Sequence, residues 1–177
     1  MYCMRHFYES AHMGENWFTF DRLYKAMVDR FPSGSHFVEV GCWKGRSAAF
    51  MAVEIANSGK DIRLDCIDSW PDISVMEDFL VNMAPVEGRF RATRMDSAEA
   101  ASLYGDGSLS FVFLDADHSF DGLCRDLLAW LPKMAPNSVF AGHDYEWHEP
   151  VRRACREILG PRDLYDPWGD GCFFYEV

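Results

Sequence analysis

Phe37-Val38-Glu39-Val40-Gly41-Cys42-Trp43-Lys44-Gly45-Arg46-Ser47 is the stretch that decides the fold. An apolar run of strand character meets two glycines four positions apart, and a helix-compatible segment follows. Strand, glycine turn and helix in that order open an α/β unit. Glycines let backbone approach a ligand closely, and the first turn of the next helix offers free N–H groups to a carboxylate or phosphate. The same turn also serves as plain scaffold in α/β proteins that bind nothing there, so its meaning depends on what stands around it.

Downstream, Ile62-Arg63-Leu64-Asp65-Cys66-Ile67-Asp68 reads as a second strand ending in an acid, a group suited to ribose hydroxyls. The dinucleotide fingerprint G-x-G-x-x-G, counted from Gly41, would need glycines where Trp43 and Arg46 stand, which argues against a nicotinamide cofactor. The run Glu39 to Ser47 followed by Asp68 resembles the first two motifs of class I S-adenosylmethionine-dependent methyltransferases. Phe113-Leu114-Asp115-Ala116-Asp117-His118-Ser119-Phe120 and Gly142-His143-Asp144-Tyr145 are similar to a small family of them that includes O-methyltransferases of sugar-bearing natural products. The resemblance spans residues 15 to 160.

The remaining periodicities give the architecture. Trp17, Phe20, Leu23, Tyr24, Met27, Val28 and Phe31 repeat at helical spacing, with Asn16 as N-cap and Pro32-Ser33-Gly34 as the stop. A helix follows from Arg46 to Asn57, and Val75, Met76, Phe79, Leu80 and Met83 mark another, halted by Pro85. Phe90 to Met95 reads as an edge strand carrying arginines, and Asp96 with Glu99 forms a capping pair. Leu109 to Leu114 is a nearly continuous apolar run, as in a strand buried on both faces, and Leu123, Leu127, Leu128 and Leu131 define a helix closed by Pro132. Val139 to Ala141 is a fifth strand, Pro150 starts a helix, and Leu164-Tyr165 and Cys172 to Val177 are two last strands around Gly169-Asp170-Gly171. The expected fold is a doubly wound, mostly parallel seven-stranded α/β sheet of Rossmann-like methyltransferase type, ending in an antiparallel hairpin. Residues 1–177 are expected to form one domain, whose segment 1–16 covers the site or pairs with another subunit.

Composition narrows the function. A chain of 177 residues, 49% hydrophobic and 15% aromatic, has material for one full core. Its net charge of −11 argues against nucleic acid or an anionic membrane surface as partner and suits small neutral or cationic ligands. Six cysteines without a C-x-x-C pair give no zinc site. The longest apolar stretch, Ala48 to Ala56, is interrupted by Glu54, so neither a signal peptide nor a membrane span is indicated and a cytoplasmic location is expected.

In a sheet of this kind ligands sit beyond the carboxyl ends of the strands, where strand order reverses. Strands one, two, four and five end at Gly41, Asp68, Asp115 and Asp144, so the turn and three acids converge on one edge. The resemblance implies a cofactor set of Glu39, Gly41, Cys42, Gly45, Ser47, Asp68, Ser69, Trp70, Asp96, Ser97 and Asp115. In it Gly41, Gly45 and Ser47 hold the methionine end, Asp68 the ribose, and Asp96-Ser97 lies beside the adenine. Trp70 is read either as an adenine stacking partner or as core, and Asp96 also reads as a helix cap.

The resemblance further implies Asp115, His118 and His143 as catalytic residues, with His118 as general base or, in the plainer reading, a helix-capping surface residue. It implies Asp115, His143 and Asp144 at a divalent cation. His143 stands where magnesium-dependent relatives carry an acid, and magnesium prefers oxygen donors. The site is therefore open to magnesium, to manganese or to metal-free action. Trp17, Trp70, Tyr145 and Trp147 are candidates to stack on a sugar or aromatic acceptor. The expected activity is S-adenosylmethionine-dependent O-methylation of a small molecule, glycan or sugar-bearing metabolite. The alternatives are a catechol-like phenol as acceptor, and a non-catalytic sensor or subunit that binds the cofactor; a homo-oligomer is left open.

Overall fold

The computed structural model of the chain describes residues 3–160, 164 and 167–177. Its strands are β1 (His36–Val40), β2 (Arg63–Asp68), β3 (Arg91–Arg94), β4 (Leu109–Leu114), β5 (Met134–Gly142) and β6 (Phe173–Glu176), in the sheet order β3-β2-β1-β4-β5-β6. The first five strands run parallel, and β6 pairs antiparallel with β5 from Gly142↔Phe173 to Val139↔Glu176. Order reverses between β1 and β4, whose carboxyl ends therefore border the crevice where open α/β sheets take their ligands.

Helices cover both faces of the sheet. On one, α1 (Asp21–Arg30), α2 (Arg46–Ser58) and α3 (Ile73–Met83) supply Leu23, Tyr24, Met51, Ala52, Phe79 and Met83 to a core with Phe37, Phe111 and Phe113. On the other, α4 (Ser97–Ala100), α5 (Phe120–Trp130) and α6 (Glu149–Leu159) bury Ala100, Leu123, Leu127, Trp130, Val151 and Cys155 against Val38, Val112 and Phe140. Small residues Ala48, Ala49 and Ala52 let α2 lie close on the sheet. Gly59 ends that helix in the left-handed region, and Lys60 behind it donates to the carbonyls of Val28, Asp29 and Phe31 at 2.6 Å, 2.8 Å and 2.9 Å, capping α1.

A buried carboxylate ties the edge strand to the sheet. Asp65 on β2 accepts from His36 Nε2, Tyr104 OH and Arg91 Nη2, each at 2.9 Å. Burial pushes its pKa up, but the hydrogen bonds from His36 and Tyr104 and the nearby charges more than offset this, and the carboxyl titrates below its ordinary range.

Two expectations are corrected here. The first helix starts at Asp21 with Phe20 as its N-cap, not at Trp17 with Asn16 as cap. The residues before it are drawn aside, Thr19 bonding with His143 and with the Asp170 carbonyl. The sheet has six strands among the described residues instead of seven: Leu164 is buried outside any strand, and Tyr165 lies outside the described residues. The last strand consequently pairs straight onto β5, where Arg30 also holds Glu176. Among the described residues no helix is long and apolar enough to cross a membrane.

Candidate active site

The turn after β1 is built by close approach. A Cβ on Gly41 would lie 2.0 Å from the Asp115 carbonyl oxygen, so only glycine lets the ends of β1 and β4 come together, and its φ of 91° adds a second requirement. Trp43, with φ 42°, also lies in the left-handed region, a strained state that the surroundings must enforce. Its N–H donates to Asp68 Oδ2 at 2.8 Å, and the Trp70 N–H donates to Asp68 Oδ1 at 2.8 Å. Both oxygens of Asp68 are thereby fixed at the cavity wall with lone pairs to spare.

Glu39 stands behind this turn, 2% exposed, its Oε1 accepting from the Ser47 hydroxyl. Burial pushes the carboxyl up to about 8, with Asp115 and Asp68 adding and the Ser47 hydrogen bond opposing. Its Oε2 makes no hydrogen bond of good geometry among the described residues. The Cys42 thiol donates to the carbonyls of Glu39 and Ile67 at 3.4 Å and 3.6 Å, and burial raises its pKa.

Two cavities meet at this edge. The first, of about 730 Å³, takes in Asp68, Ser69, Asp96, Ser97 and Asp126. The second, of about 660 Å³, is walled by Trp17, Phe20, His143, Asp144 and Trp147, with Cys42 and Ser47 behind. Gly41, Trp43, Asp115 and His118 border both. The segment 15–20 thus supplies one wall of the second cavity from within the same chain. Arg46 anchors it by donating to the Gly14 carbonyl at 2.7 Å and to the Tyr8 carbonyl.

Of the expected cofactor residues, Glu39 and Gly45 line neither cavity: Glu39 acts through Ser47, and Gly45 is the left-handed N-cap of α2, packed on Phe79 and Met83. Trp70 as an adenine partner is corrected. It is 1% exposed, packs against Phe79 in the core with the rings tilted at 52°, and spends its indole N–H on the Trp43 carbonyl at 2.8 Å, so what it contributes is the shape of the turn.

At the border of the cavities His118 Nε2 sits between two carboxylates, 3.2 Å from Asp115 Oδ1 and 2.8 Å from Asp144 Oδ2. The hydrogen bond that His118 donates to Asp115 raises its pKa, against the opposing effect of burial, and the charges of Asp115, Asp144 and Asp117 add to the rise. Asp144 is itself held at φ 61°. Ligand atoms of Asp115, His118 and Asp144 all lie within 4.8 Å of one another, close enough for one cation. His143 is the correction here: expected as a metal ligand, it falls outside that group. Its Nε2 is engaged by Thr19 Oγ1 at 3.1 Å, and its Nδ1 stands 3.7 Å from Asp115 and 3.5 Å from Asp144.

The adenine-side expectation is only half met by side chains. Asp96 is spent, Oδ1 accepting from the N–H groups of Ala98 and Glu99 at 3.0 Å and 3.3 Å and Oδ2 pairing with Arg125 at 3.1 Å. Ser97 Oγ accepts from Trp130 Nε1 at 3.1 Å. The residue that sequence reasoning missed is Asp126 on α5, 1% exposed, which lines the first cavity. Burial pushes its carboxyl up to about 6, and its Oδ1 has no hydrogen-bond partner among the described residues, the Arg125 Nε being 3.8 Å away. An acid inside the apolar repeat Leu123, Leu127, Trp130 was the available signal.

A doubly wound sheet with a glycine turn, a ribose-competent acid after β2 and a polar cluster after β4 and β5 defines a class I S-adenosylmethionine-dependent methyltransferase. The family model described as a methyltransferase domain matches residues 38–145, more than half of the chain, and the chain belongs to that family. It is similar to the O-methyltransferase NovP, with 15% identity, a TM-score of 0.68 and coverage of 89% of this chain and 79% of that one. It is likewise similar to CalS11, a TDP-rhamnose 3'-O-methyltransferase of calicheamicin biosynthesis, at 14% identity and TM-score 0.65 over 91% of this chain and 78% of that one. The methyltransferase PaMTH1 of Podospora anserina, solved with S-adenosylhomocysteine, aligns at 15% identity and TM-score 0.65 over 86% of this chain and 75% of its own. At these identities the likeness is one of fold. Among curated proteins none matches the sequence significantly.

The residues present fit S-adenosylmethionine. Asp68 is held ready at the wall, and the buried oxygen Asp126 Oδ1, in the lining of the first cavity, is without a hydrogen-bond partner among the described residues, as suits a group that completes its bonding with a ligand.

Proposed function

We propose that the protein transfers the methyl group of S-adenosylmethionine to a hydroxyl of a small ring-bearing acceptor, a glycan or sugar-bearing metabolite ahead of a catechol-like phenol. The observation that carries this reading is His118 placed between Asp115 and Asp144 where the two cavities meet. In this reading the first cavity takes the adenosyl part. Asp68 accepts from the ribose hydroxyls, Ser69 lies beside it, and Asp96-Ser97 border the adenine. Gly41 and Cys42 let the methionine part approach the backbone, Gly45 starts α2 there, and Glu39 orients Ser47 toward it. The sulfonium of the cofactor supplies the methyl group.

Transfer needs the acceptor oxygen in line with the methyl at about 3 Å and at least partly deprotonated. His118 borders the acceptor cavity and takes that proton. Asp115 and Asp144 hold a divalent cation, which lowers the hydroxyl's pKa and orients it when bound. With the His118 imidazole beside the two carboxylates, a transition cation that accepts a nitrogen ligand suits the group better than magnesium does. His143, fixed by Thr19, positions the acceptor instead of binding the cation.

The acceptor's chemistry follows from its walls. Trp17 and Trp147 are 64% and 55% exposed, and Trp17 stacks on Trp43 at 5.0 Å, giving flat apolar faces to a ring. Arg46 is the one Lys or Arg among the described residues lining that cavity, and its guanidinium is buried against backbone carbonyls. A phosphate group on the acceptor would find no free cation there, which supports a neutral ring.

Calorimetric titration of the metal-stripped protein with S-adenosylmethionine, repeated with manganese and with magnesium, tests the reading. Saturable cofactor binding and a heat that requires Asp144 and the cation are expected. A folded protein that binds no cofactor under any of these conditions overturns it. His118→Ala separates enzyme from sensor: turnover on a panel of glycosylated and phenolic acceptors is lost while cofactor affinity stays.

A further inference from the structure

We propose that Asp126 reads the adenine ring of the cofactor, its Oδ1 accepting a hydrogen bond from the exocyclic amino group. The inference rests on the reading above, in which the first cavity holds the adenosyl part. It starts from a buried atom without a partner. Asp126 is 1% exposed on α5, lines the cavity beside Met95, Asp96 and Ser97, and its Oδ1 has no hydrogen-bond partner among the described residues. An unpaired carboxylate oxygen at such depth is costly, and costs of this kind persist where a ligand removes them.

The carboxyl is also held in place. Trp130 Nε1 donates to Ser97 Oγ at 3.1 Å, which leaves the Ser97 hydroxyl hydrogen free to turn to Asp126, and a hydrogen bond from Ser97 stabilises the Asp126 carboxylate. One oxygen is thereby anchored and the other left for a ligand. Competing acceptors nearby are already used: Asp96 is divided between the N-terminus of α4 and Arg125. Arg125 stays 3.8 Å from Asp126, too far for a hydrogen bond. Asp126 is the carboxylate at this end of the cavity with capacity left over.

A carboxylate accepts and does not donate, so it favours an amino group at C6 of the purine and opposes a carbonyl there. The distinguishing pair is S-adenosylhomocysteine and its deaminated counterpart S-inosylhomocysteine, which carries a C6 carbonyl. Each is titrated calorimetrically into the wild-type protein, Asp126→Asn and Asp126→Leu, with a thermal melt of each variant to establish folding. The wild-type protein is expected to prefer the adenosyl ligand by about 10- to 100-fold, the range of a hydrogen bond to a charged group. Asp126→Leu should lose that preference. Asp126→Asn, whose amide both donates and accepts, should gain affinity for the inosyl ligand, and it serves alone if the leucine variant does not fold.

Equal wild-type affinity for the two ligands, or a preference unchanged in Asp126→Asn, overturns the role of Asp126 and leaves the methyltransferase reading standing. Failure of the folded wild-type protein to bind either ligand overturns that reading itself, and this role with it.

Discussion

Asp65 and Asp126 are both buried acids, and they differ in everything that burial usually demands. Asp65 on β2 is surrounded by His36, Tyr104 and Arg91 and titrates below the ordinary range; Asp126 on α5 keeps an oxygen without a hydrogen bond and is pushed up to about 6. The first pins the edge strand β3 to the sheet through Arg91. The second weakens the fold it sits in and faces a cavity. Saturation marks scaffold in this pair and unsatisfied capacity marks the cavity wall; Glu39, raised to about 8 by burial behind the glycine turn, lines neither cavity and acts through Ser47.

The comparison breaks most visibly at His118. Replacing it with alanine should lower turnover by about 10²- to 10⁴-fold, the range of a positioned proton acceptor, with cofactor affinity and melting temperature little changed. Steady-state kinetics beside calorimetry reads this; a variant whose turnover persists would return His118 to a helix-capping surface role.

Asp65→Ala gives the mirror image. It strands the buried Tyr104 hydroxyl and the partly buried His36 ring and should cost about 2–3 kcal/mol by urea denaturation, while the folded fraction still binds cofactor. The depressed carboxyl also makes the wild-type protein more stable above the unfolded pKa of about 3.9 and loses that contribution as pH falls through the lower folded value. Asp65→Asn should flatten this acid limb.

Asp126→Asn should act in the opposite direction. A folded pKa near 6 against about 3.9 unfolded means the folded protein binds the proton more tightly, so wild-type stability falls as pH rises from 4 through 6. The asparagine variant should remove that slope and gain on the order of 2 kcal/mol near neutrality. Denaturation curves at pH 5 and pH 7.5 decide it, and a variant no more stable at pH 7.5 would place Asp126 with Asp65. The smallest effect is expected from Trp17→Ala, which should weaken acceptor binding several-fold and stability by about 0.5 kcal/mol or less, because the side chain is mostly in solvent.

How much of this was legible in the chain depended on whether a signal was local. Apolar runs at 37–40, 64–67 and 109–114 announced strands, and the acids ending β2 and following β4 and β5 announced the edge where the cavities lie. The helix at Trp17 misled because Trp17 and Phe20 keep helical spacing while a distant partner, His143, pulls Thr19 out of the helix. His143 was expected at the cation and His118 as the base, and the structure gathers His118 with the two carboxylates instead, because Thr19, far away in the chain, holds the His143 ring. Asp126 was passed over because an apolar repeat hides a single polar position within it, and Trp70 was unresolved because a strand-end tryptophan reads alike whether it meets core or ligand.

The stacked indoles of Trp17 and Trp43, 27° from parallel at the border of the acceptor cavity, also have an optical consequence. Two aromatic chromophores so close exchange excitation and share a near-ultraviolet dichroic signal. A ring laid over the exposed face of Trp17 should perturb those transitions, so ring binding in this cavity is expected to read out as a change in near-ultraviolet dichroism, without label or turnover.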